Sequence, residues 1–287
     1  MKTTREIYES SAQYLMRQGE AAMEARTQAR LLLDYVTSVR YAHLMQPDSE
    51  LNEQAEQRII TALDALTRGC PLPYITQQCE FYGLALRCDE RALIPRPETE
   101  TLIEAAVARL QARPHAIIAD LGTGSGAIAV SIAHALAGAT VYATDAQESA
   151  LELARENASR HGVAERVKLL TGSTQSWVEP LGATTFDAIL SNPPYIATAE
   201  IESLQPQIRD WEPRAALDGG MDGLDCYRAI AAQCGPLLAP DGFLMVELGA
   251  GQFEMVQQIF NGAGWIVEPP LFDLAGIARV LTARRLQ

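Results

Sequence analysis

From residue 115 onward, short apolar runs alternate with longer amphipathic segments, and this pattern restricts the fold of the chain more than any other feature. Apolar runs bounded by turn residues predict strands, and segments with helical spacing predict helices. The predicted strands are 116–120, 140–145, 167–171, 186–190, 243–248, 265–267 and 277–283, and the predicted helices lie within 122–136, 150–160, 224–238 and 253–260. This alternation predicts an α/β fold with a mostly parallel sheet covered on both faces. Ligands of such sheets bind beyond the carboxyl ends of the strands, so the loops there form the candidate site.

The residues before this alternation have a different pattern. Apolar stripes at helical spacing predict a small helical domain over residues 1–72, which we interpret as a surface for recognising a partner. Pro71 to Tyr74 predicts a linker, and residues 80–86 predict a β-hairpin around a central glycine. We therefore divide the chain into a helical domain (1–72), a linker with a hairpin (73–97) and a sheet domain (98–287).

The composition favours a soluble protein that binds a small molecule or another protein. A length of 287 residues with 48% hydrophobic content is enough to bury a sizeable core. No apolar run reaches the roughly 18 residues of a membrane span, and Met1–Glu6 lacks the apolar stretch of a signal peptide. We therefore predict a cytoplasmic protein that does not bind membranes. The net charge of −13 argues against direct binding of nucleic acid, which depends on Lys and Arg, and we expect a monomer.

The cysteines and histidines do not form a ligand pattern. The five cysteines cannot all pair, and none lies in a C-x-x-C arrangement. We predict reduced thiols and no metal site.

A glycine-rich turn, Asp120–Ala127, follows the first strand of the sheet domain and precedes a helix. Glycines allow a tight turn and the close approach of a ligand. The turn also fits the G-x-G-x-x-A pattern of dinucleotide-binding proteins, so that alternative remains open on this loop alone. Asp145 ends the next strand, 19 residues after Gly126. We expect Asp145 to bind both ribose hydroxyls of a nucleoside, in preference to the alternative role of a helix N-cap.

A proline-rich corner, Ser191–Tyr195, follows the strand at 186–190. Because prolines lack an N–H group, this turn is stiff and the corner offers hydrogen-bond acceptors. The side-chain oxygen of Asn192 and the carbonyl of Pro193 can accept both N–H groups of a planar amine, while Tyr195 lies against its π-system. Such a corner suits the exocyclic amine of a nucleobase or a primary carboxamide such as glutamine. A plain tight turn is the alternative.

The same strand end distinguishes between two cofactor types. It lacks the His or Lys that a dehydrogenase uses for proton transfer. S-adenosylmethionine carries its methyl group on a sulfonium, so an enzyme that uses it needs mainly to position the target nitrogen. We therefore favour S-adenosylmethionine as the cofactor.

These motifs resemble those of the release factor glutamine N5-methyltransferases, the PrmC/HemK family. The matching segments are 93–100, 120–126, Asp145, 191–196, 212–217 and 219–224. The resemblance implies a Rossmann-like class I S-adenosylmethionine-dependent methyltransferase domain over 98–287, behind a helical substrate-recognition domain and a hairpin. It also implies methylation of the side-chain amide of the glutamine in the Gly-Gly-Gln motif of class 1 peptide chain release factors.

The resemblance further implies the roles of individual residues. Gly122, Thr123, Gly124, Ser125 and Gly126 would contact the cofactor, Asp145 its ribose and Trp177 its adenine. Asn192, Pro193, Pro194 and Tyr195 would hold the glutamine and form the catalytic corner, with Asn192 also near the cofactor. The chain departs from the family at Ser125, where Thr is frequent, and at residues 171–173, where Gly-Asp or Ser-Asp is frequent.

Two other functions compete with this interpretation. A nucleobase (adenine) amino-methyltransferase would use the same corner, but the excess of 36 Asp and Glu over 23 Lys and Arg argues against it. A binding protein that keeps the cofactor fold without turnover is a further alternative, which the intact Asn-Pro-Pro-Tyr motif disfavours.

Overall fold

The structure is a computed structural model that describes residues 2–172, 176 and 178–285. The helices of this part are α1 (Thr4–Arg17), α2 (Ala22–Thr37), α3 (Ala42–Met45), α4 (Glu53–Thr67), α5 (Leu72–Thr76), α6 (Glu98–Leu110), α7 (Ala127–Ala135), α8 (Glu148–Arg160), α9 (Pro206–Arg209), α10 (Asp225–Gln233) and α11 (Phe253–Gly262). The strands are β1 (Gln78–Phe81), β2 (Leu84–Arg87), β3 (Ile117–Leu121), β4 (Thr140–Asp145), β5 (Val167–Thr171), β6 (Phe186–Ser191), β7 (Leu238–Glu247), β8 (Trp265–Val267), β9 (Leu271–Phe272) and β10 (Ala278–Arg285). Within the residues so described, no helix has both the length and the apolar character that crossing a membrane requires.

The chain forms two compact units, residues 1–78 with 206–211, and residues 79–205 with 212–287. The first unit is helical, as the apolar stripes predict. At its start Thr3 caps α1, because its side chain accepts a hydrogen bond from the backbone N–H of Glu6 and the Glu6 side chain accepts one from Thr3 in return. The predicted domain boundaries at 72 and 97 stay a prediction.

The second unit contains the predicted sheet. Within the described residues this sheet has eight strands in the order β5-β4-β3-β6-β7-β10-β8, with β9 paired to β10. Strands β3 to β7 pair with one another in parallel, whereas β10 is antiparallel to its neighbours β7, β8 and β9. The strands that follow β3, which are β4 and β5, lie on one side of it, and β6 lies on the other side. The carboxyl ends of β3 and β6 therefore flank the crevice where such sheets bind ligands.

Helices cover both faces of this sheet, as predicted. Side chains alternate between the faces along each strand: Ile118 and Met245 pack in one apolar cluster with α6 and α7, whereas Ala119 and Leu244 pack in the other with α10 and α11. Burial on both faces explains why the central strands are continuous apolar runs.

The structure differs from the predicted elements at several places. The segment Pro71–Tyr74, predicted as a linker, lies largely in the short helix α5, since a proline in the first turn does not interrupt a helix, and Tyr74 is buried. The helix predicted over 224–238 ends at Gln233, because a 3₁₀ turn with Pro236 follows. Strand β7 begins five residues before the predicted start at 243, since its first part is more exposed and has no apolar pattern. The two-residue strand β9 was not predicted, because it is too short to show a period.

The hairpin β1–β2, which was also predicted, is held against α8 by the side chain of Asn157. The buried Asn157 side chain accepts a hydrogen bond from the backbone N–H of Arg87 (2.6 Å) and donates to the carbonyls of Arg87 (3.1 Å) and Ser125 (2.9 Å). One side chain therefore joins the end of the hairpin to the glycine-rich turn.

We expect Asn157→Ala to lower the free energy of unfolding by about 3 kcal/mol, because it leaves one backbone N–H and two carbonyls without these partners. Urea denaturation of the full chain measures the change. The matched control is Asn261→Ala, at an exposed position of α11, which should change stability by less than about 0.5 kcal/mol. Equal effects of the two substitutions would contradict the bracing role of Asn157.

Candidate active site

A cleft lies at the carboxyl ends of β3, β4 and β6, and its empty space, including the part open to solvent, is about 870 Å³. Three segments contribute most of the lining: residues 91–99 before and at the start of α6, the glycine-rich turn after β3, and the end of β4 with the start of α8. The predicted site residues that line it are Gly122, Thr123, Gly124, Ser125, Asp145, Asn192 and Pro194.

The glycine-rich turn needs its glycines for two reasons. Gly122, Gly124 and Gly126 have φ values of +70°, +55° and +80°, a region that side chains with a Cβ rarely adopt. At Gly126 a Cβ would also lie 3.0 Å from the Cβ of Ala154, so the glycine permits close packing of the turn on α8. Gly122 and Gly124 therefore line the cleft with bare backbone, which fits the close approach of a cofactor such as S-adenosylmethionine.

Asp145 connects this turn to the end of β4. Its Oδ2 accepts a hydrogen bond from the N–H of Gly124 (2.8 Å), and its Oδ1 accepts one from Gln147 (2.9 Å). Burial raises the pKa of Asp145. Gln147, not Asp145, is the cap residue of α8. Since a carboxylate oxygen can accept two hydrogen bonds, Asp145 retains acceptor capacity for ribose hydroxyls.

Asp120 lies buried beneath the turn. Its Oδ2 accepts hydrogen bonds from the Thr123 hydroxyl (2.6 Å) and the N–H of Ala129 (3.1 Å), which fixes the course of the turn into α7. Within the described part of the chain its Oδ1 has no partner. Burial raises the pKa of Asp120 to about 7.

The stiff segment at residues 93–100 forms one wall of the cleft through Leu93, Pro95 and Thr99. It is anchored by Glu212, whose nearly inaccessible carboxylate accepts a hydrogen bond from the N–H of Ile94 (3.2 Å) and forms an ion pair with Arg96. The Glu-Pro-Arg motif at 212–214 thus supports the wall.

The proline-rich corner follows β6. Asn192 donates a hydrogen bond from Nδ2 to the Thr99 hydroxyl (3.2 Å), and that hydroxyl donates to the carboxylate of Glu247 at the end of β7 (2.5 Å). Asn192 and Pro194 line the cleft, whereas the buried Pro193 and the half-buried Tyr195 are not among its lining residues. The carbonyl of Tyr195 accepts a hydrogen bond from the Gln252 side chain (2.9 Å).

The glycine motif at 219–224 packs against the same corner. Backbone hydrogen bonds join Ile196 to Leu217 (3.0 Å) and Gly219 to Ile196 (2.8 Å). A Cβ at Gly219 would lie 2.8 Å from the Pro194 carbonyl oxygen, and one at Gly223 would collide with the carbonyl of Tyr195. These glycines are therefore needed for the close contact between the loop and the corner.

The structure brings most of the predicted site residues to one edge of the sheet. Trp177, the predicted adenine contact, and Ser173 lie outside the described residues. The role of each predicted residue stays a prediction.

Sequence reasoning missed Glu247 and Gln252, and it placed Glu212 and Thr99 in segments that match the family without giving either residue a role in the site. Glu247 had a weak signal, because an acid at the end of an apolar strand is unusual. The other three are distant in sequence from the residues they hold, and nothing in the pattern pairs them.

We expect the stability difference between the wild type and Asp120→Asn to depend on pH. The pKa of Asp120 in the folded state is raised above its value in the unfolded chain, so its stabilising contribution is complete below about pH 4 and is lost as the pH rises through about 7. Between pH 5.5 and 8.5 the wild type should lose on the order of 2 kcal/mol relative to the variant.

Chemical denaturation of both proteins across this range measures the difference. Glu247, which titrates in the same range, is common to both and cancels. A difference that does not change with pH would show that Asp120 remains ionised in the folded protein.

Comparison with known proteins agrees with this geometry. The family model of the Methyltransferase small domain matches residues 99–207, and that of the PrmC N-terminal domain matches residues 6–76. Among solved structures, the hMettl16 catalytic domain in complex with MAT2A 3′UTR hairpin 6 has a TM-score of 0.59 at 16% identity, over 88% of this chain and 92% of that one. A methyltransferase from Pyrococcus furiosus has a TM-score of 0.52 at 18% identity, over 81% and 98%. At these identities the likeness shows the fold alone, that of the class I methyltransferases.

Curated relatives are much more similar in sequence. The release factor glutamine methyltransferase of Moorella thermoacetica is 42% identical over 262 residues, which is 91% of each chain. That of Geobacter sulfurreducens is 47% identical over 75% of this chain and 73% of its own length. That of Nitratidesulfovibrio vulgaris is 36% identical over 96% of both chains. The chain belongs to the family of release factor glutamine methyltransferases.

Proposed function

We propose that this protein transfers the methyl group of S-adenosylmethionine to the side-chain amide nitrogen of the glutamine in the Gly-Gly-Gln motif of class 1 release factors. The observation that carries the proposal is the position of Asn192. It lines the same cleft as the glycine-rich turn, and its NH2 group is engaged by Thr99. The group that Asn192 offers to a ligand is therefore its oxygen, an acceptor for the N–H of a primary amide.

The cofactor would be held by the backbone of the turn from Gly122 to Gly126 and by Asp145, with Trp177 as the predicted contact of its adenine. When bound, S-adenosylmethionine supplies an activated methyl group on a sulfonium. The bare glycine backbone and the remaining acceptor capacity of Asp145 support this assignment.

The corner would act by orienting a weak nucleophile. An amide nitrogen attacks poorly, because its lone pair is delocalised into the carbonyl group. The Asn192 oxygen and the Pro193 carbonyl would accept its two N–H groups and turn the lone pair toward the methyl group. As the new N–C bond forms, positive charge develops on nitrogen, and these two acceptor dipoles stabilise it.

The departing proton does not require a strong base. Attack destroys the amide resonance, so the nitrogen-bound proton becomes acidic and can leave to water or through Asn192. The transfer then balances: one N–C bond forms, one S–C bond breaks and one proton is released. Tyr195 would lie beside the plane of the amide.

The partner of this reaction is a protein. The names of the relatives favour a release factor over adenine, although adenine presents a similar planar amine. The net charge of −13 supports a function without direct contact to nucleic acid. We further infer a monomer that acts in the cytoplasm, where release factors act, and that does not bind membranes.

We expect Asn192→Ala to retain cofactor affinity within about threefold and to lose turnover by ~10²-fold or more, since one preorganised acceptor is removed from the transition state. Calorimetric titration with S-adenosylhomocysteine measures binding, and methyl incorporation into a release factor measures turnover. Asn261→Ala is the control, at an exposed position of α11. Turnover of Asn192→Ala close to that of the control would remove the corner from the mechanism.

The substrate is tested with labelled S-adenosylmethionine and three acceptors. These are a release factor, the same factor with the glutamine of its Gly-Gly-Gln motif replaced by alanine, and an adenine-containing oligonucleotide. We expect label in the first acceptor alone. Label in the oligonucleotide, or equal label in both forms of the release factor, would disprove the proposed substrate.

A further inference from the structure

We propose that Thr99 and Glu247 are positioning residues that fix the rotation of the Asn192 side-chain amide, so that its oxygen and not its NH2 group faces the substrate. The inference rests on the proposed function for its consequence in turnover. Its structural content, the orientation of Asn192, is independent of the substrate.

The direction of the hydrogen bonds follows from the single proton of the Thr99 hydroxyl. Glu247 as a carboxylate can only accept, so the Thr99 proton must point to Glu247 over the 2.5 Å contact. The hydroxyl oxygen then has only lone pairs to offer to Asn192. The amide group within reach, at 3.2 Å, must therefore be the NH2 group, and the flipped rotamer would place two acceptors against each other.

The frame that holds these side chains is rigid. Thr99 and Glu247 are 3% and 1% exposed. Glu247 lies opposite Val280 in the pairing of β7 with β10, and Thr99 is the second residue of α6. Because both groups are buried in regular elements, neither can turn to water when its partner is lost.

The charge of Glu247 decides whether the hydrogen bonds from Asn192 to Thr99 and from Thr99 to Glu247 keep this direction. The groups around it are Glu98 from α6, Tyr195 from the corner, Arg279 from β10 and the Tyr227 hydroxyl, which donates to its backbone carbonyl. Burial raises the pKa of Glu247 to about 7, although Thr99, Arg279 and Tyr195 oppose this shift. A protonated Glu247 can donate to Thr99, and the chain of hydrogen bonds can then reverse so that the Asn192 oxygen turns inward.

The first test compares Thr99→Val, which removes the hydroxyl at nearly constant shape, with Thr99→Ser, which keeps it. We expect turnover to fall about tenfold or more in Thr99→Val and to stay within about threefold in Thr99→Ser. Affinity for S-adenosylhomocysteine should change by less than about threefold in both, because neither variant alters the glycine-rich turn. Equal turnover of the two variants would overturn the proposal.

A second measurement is independent of activity. The chain contains four asparagines, at 52, 157, 192 and 261, so selective ¹⁵N-asparagine labelling gives few side-chain amide signals, and Asn192→Ala identifies the one from Asn192. We expect its NH2 protons to exchange slowly in the wild type and in Thr99→Ser, and as fast as those of the exposed Asn261 in Thr99→Val. Unchanged protection in Thr99→Val would overturn the proposal even if the release factor is not a substrate, whereas loss of protection supports it.

A third test uses the charge of Glu247. We expect turnover of the wild type to fall as the pH drops through about 7, and Glu247→Gln to lack this fall, because its neutral amide can face Thr99 with either group. Asp120→Asn should retain the fall and serves as the control, since Asp120 titrates in the same range. The same acid limb in Glu247→Gln and in the wild type would exclude Glu247 as its origin and overturn the proposal.

Discussion

The register of three parallel strands is the constraint on which the site depends. Leu121 of β3 lies opposite Ser191 of β6, which lies opposite Val246 of β7, so the three strands end at nearly the same level. The residues that come next are Gly122, Asn192 and Glu247, and the hydrogen bonds of the sheet hold them at one edge. A shift of one residue in either pairing would turn the buried side chains of that strand to the opposite face. The relative positions of these three residues therefore depend on the register of the strand pairings.

Segments outside the sheet then complete the cleft, and each is fixed by a specific contact. Glu212 anchors the wall at Ile94 and Arg96, and Asn157 joins the hairpin to the glycine-rich turn. The loop at 217–223 can approach the proline-rich corner only because Gly219 and Gly223 lack side chains. The glycine motif at 219–224 and the Glu-Pro-Arg motif at 212–214 supply no reacting group. They hold the corner and the wall beside it in place, and a rigid corner is needed to orient a weak nucleophile.

Much of this arrangement could be predicted from the sequence, for a physical reason. Buried parallel strands are continuous apolar runs, and the turns after them contain residues with unusual backbone demands, such as Gly122, Gly124 and the two prolines after Asn192. The strand order and the antiparallel β10 could not be predicted, because they depend on which edge of the sheet is free to pair with each added strand. The contacts of Thr99 with Glu247, 148 residues apart, leave no local pattern. The sequence therefore indicates where the chemistry occurs but not what holds its groups in place.

The same contact explains why an amide is suited to position 192. Thr99 gives its only proton to Glu247, so the residue at the corner must donate a hydrogen bond to Thr99 and accept one from the substrate. A carboxylate at 192 would accept from the substrate, but it would face the lone pairs of Thr99 and add a second negative charge near the buried Glu247. A hydroxyl would have only one proton for Thr99 and a shorter reach to the substrate. Asparagine supplies a donor and an acceptor on one planar group, and the buried carboxylate behind it decides which of the two faces the cleft.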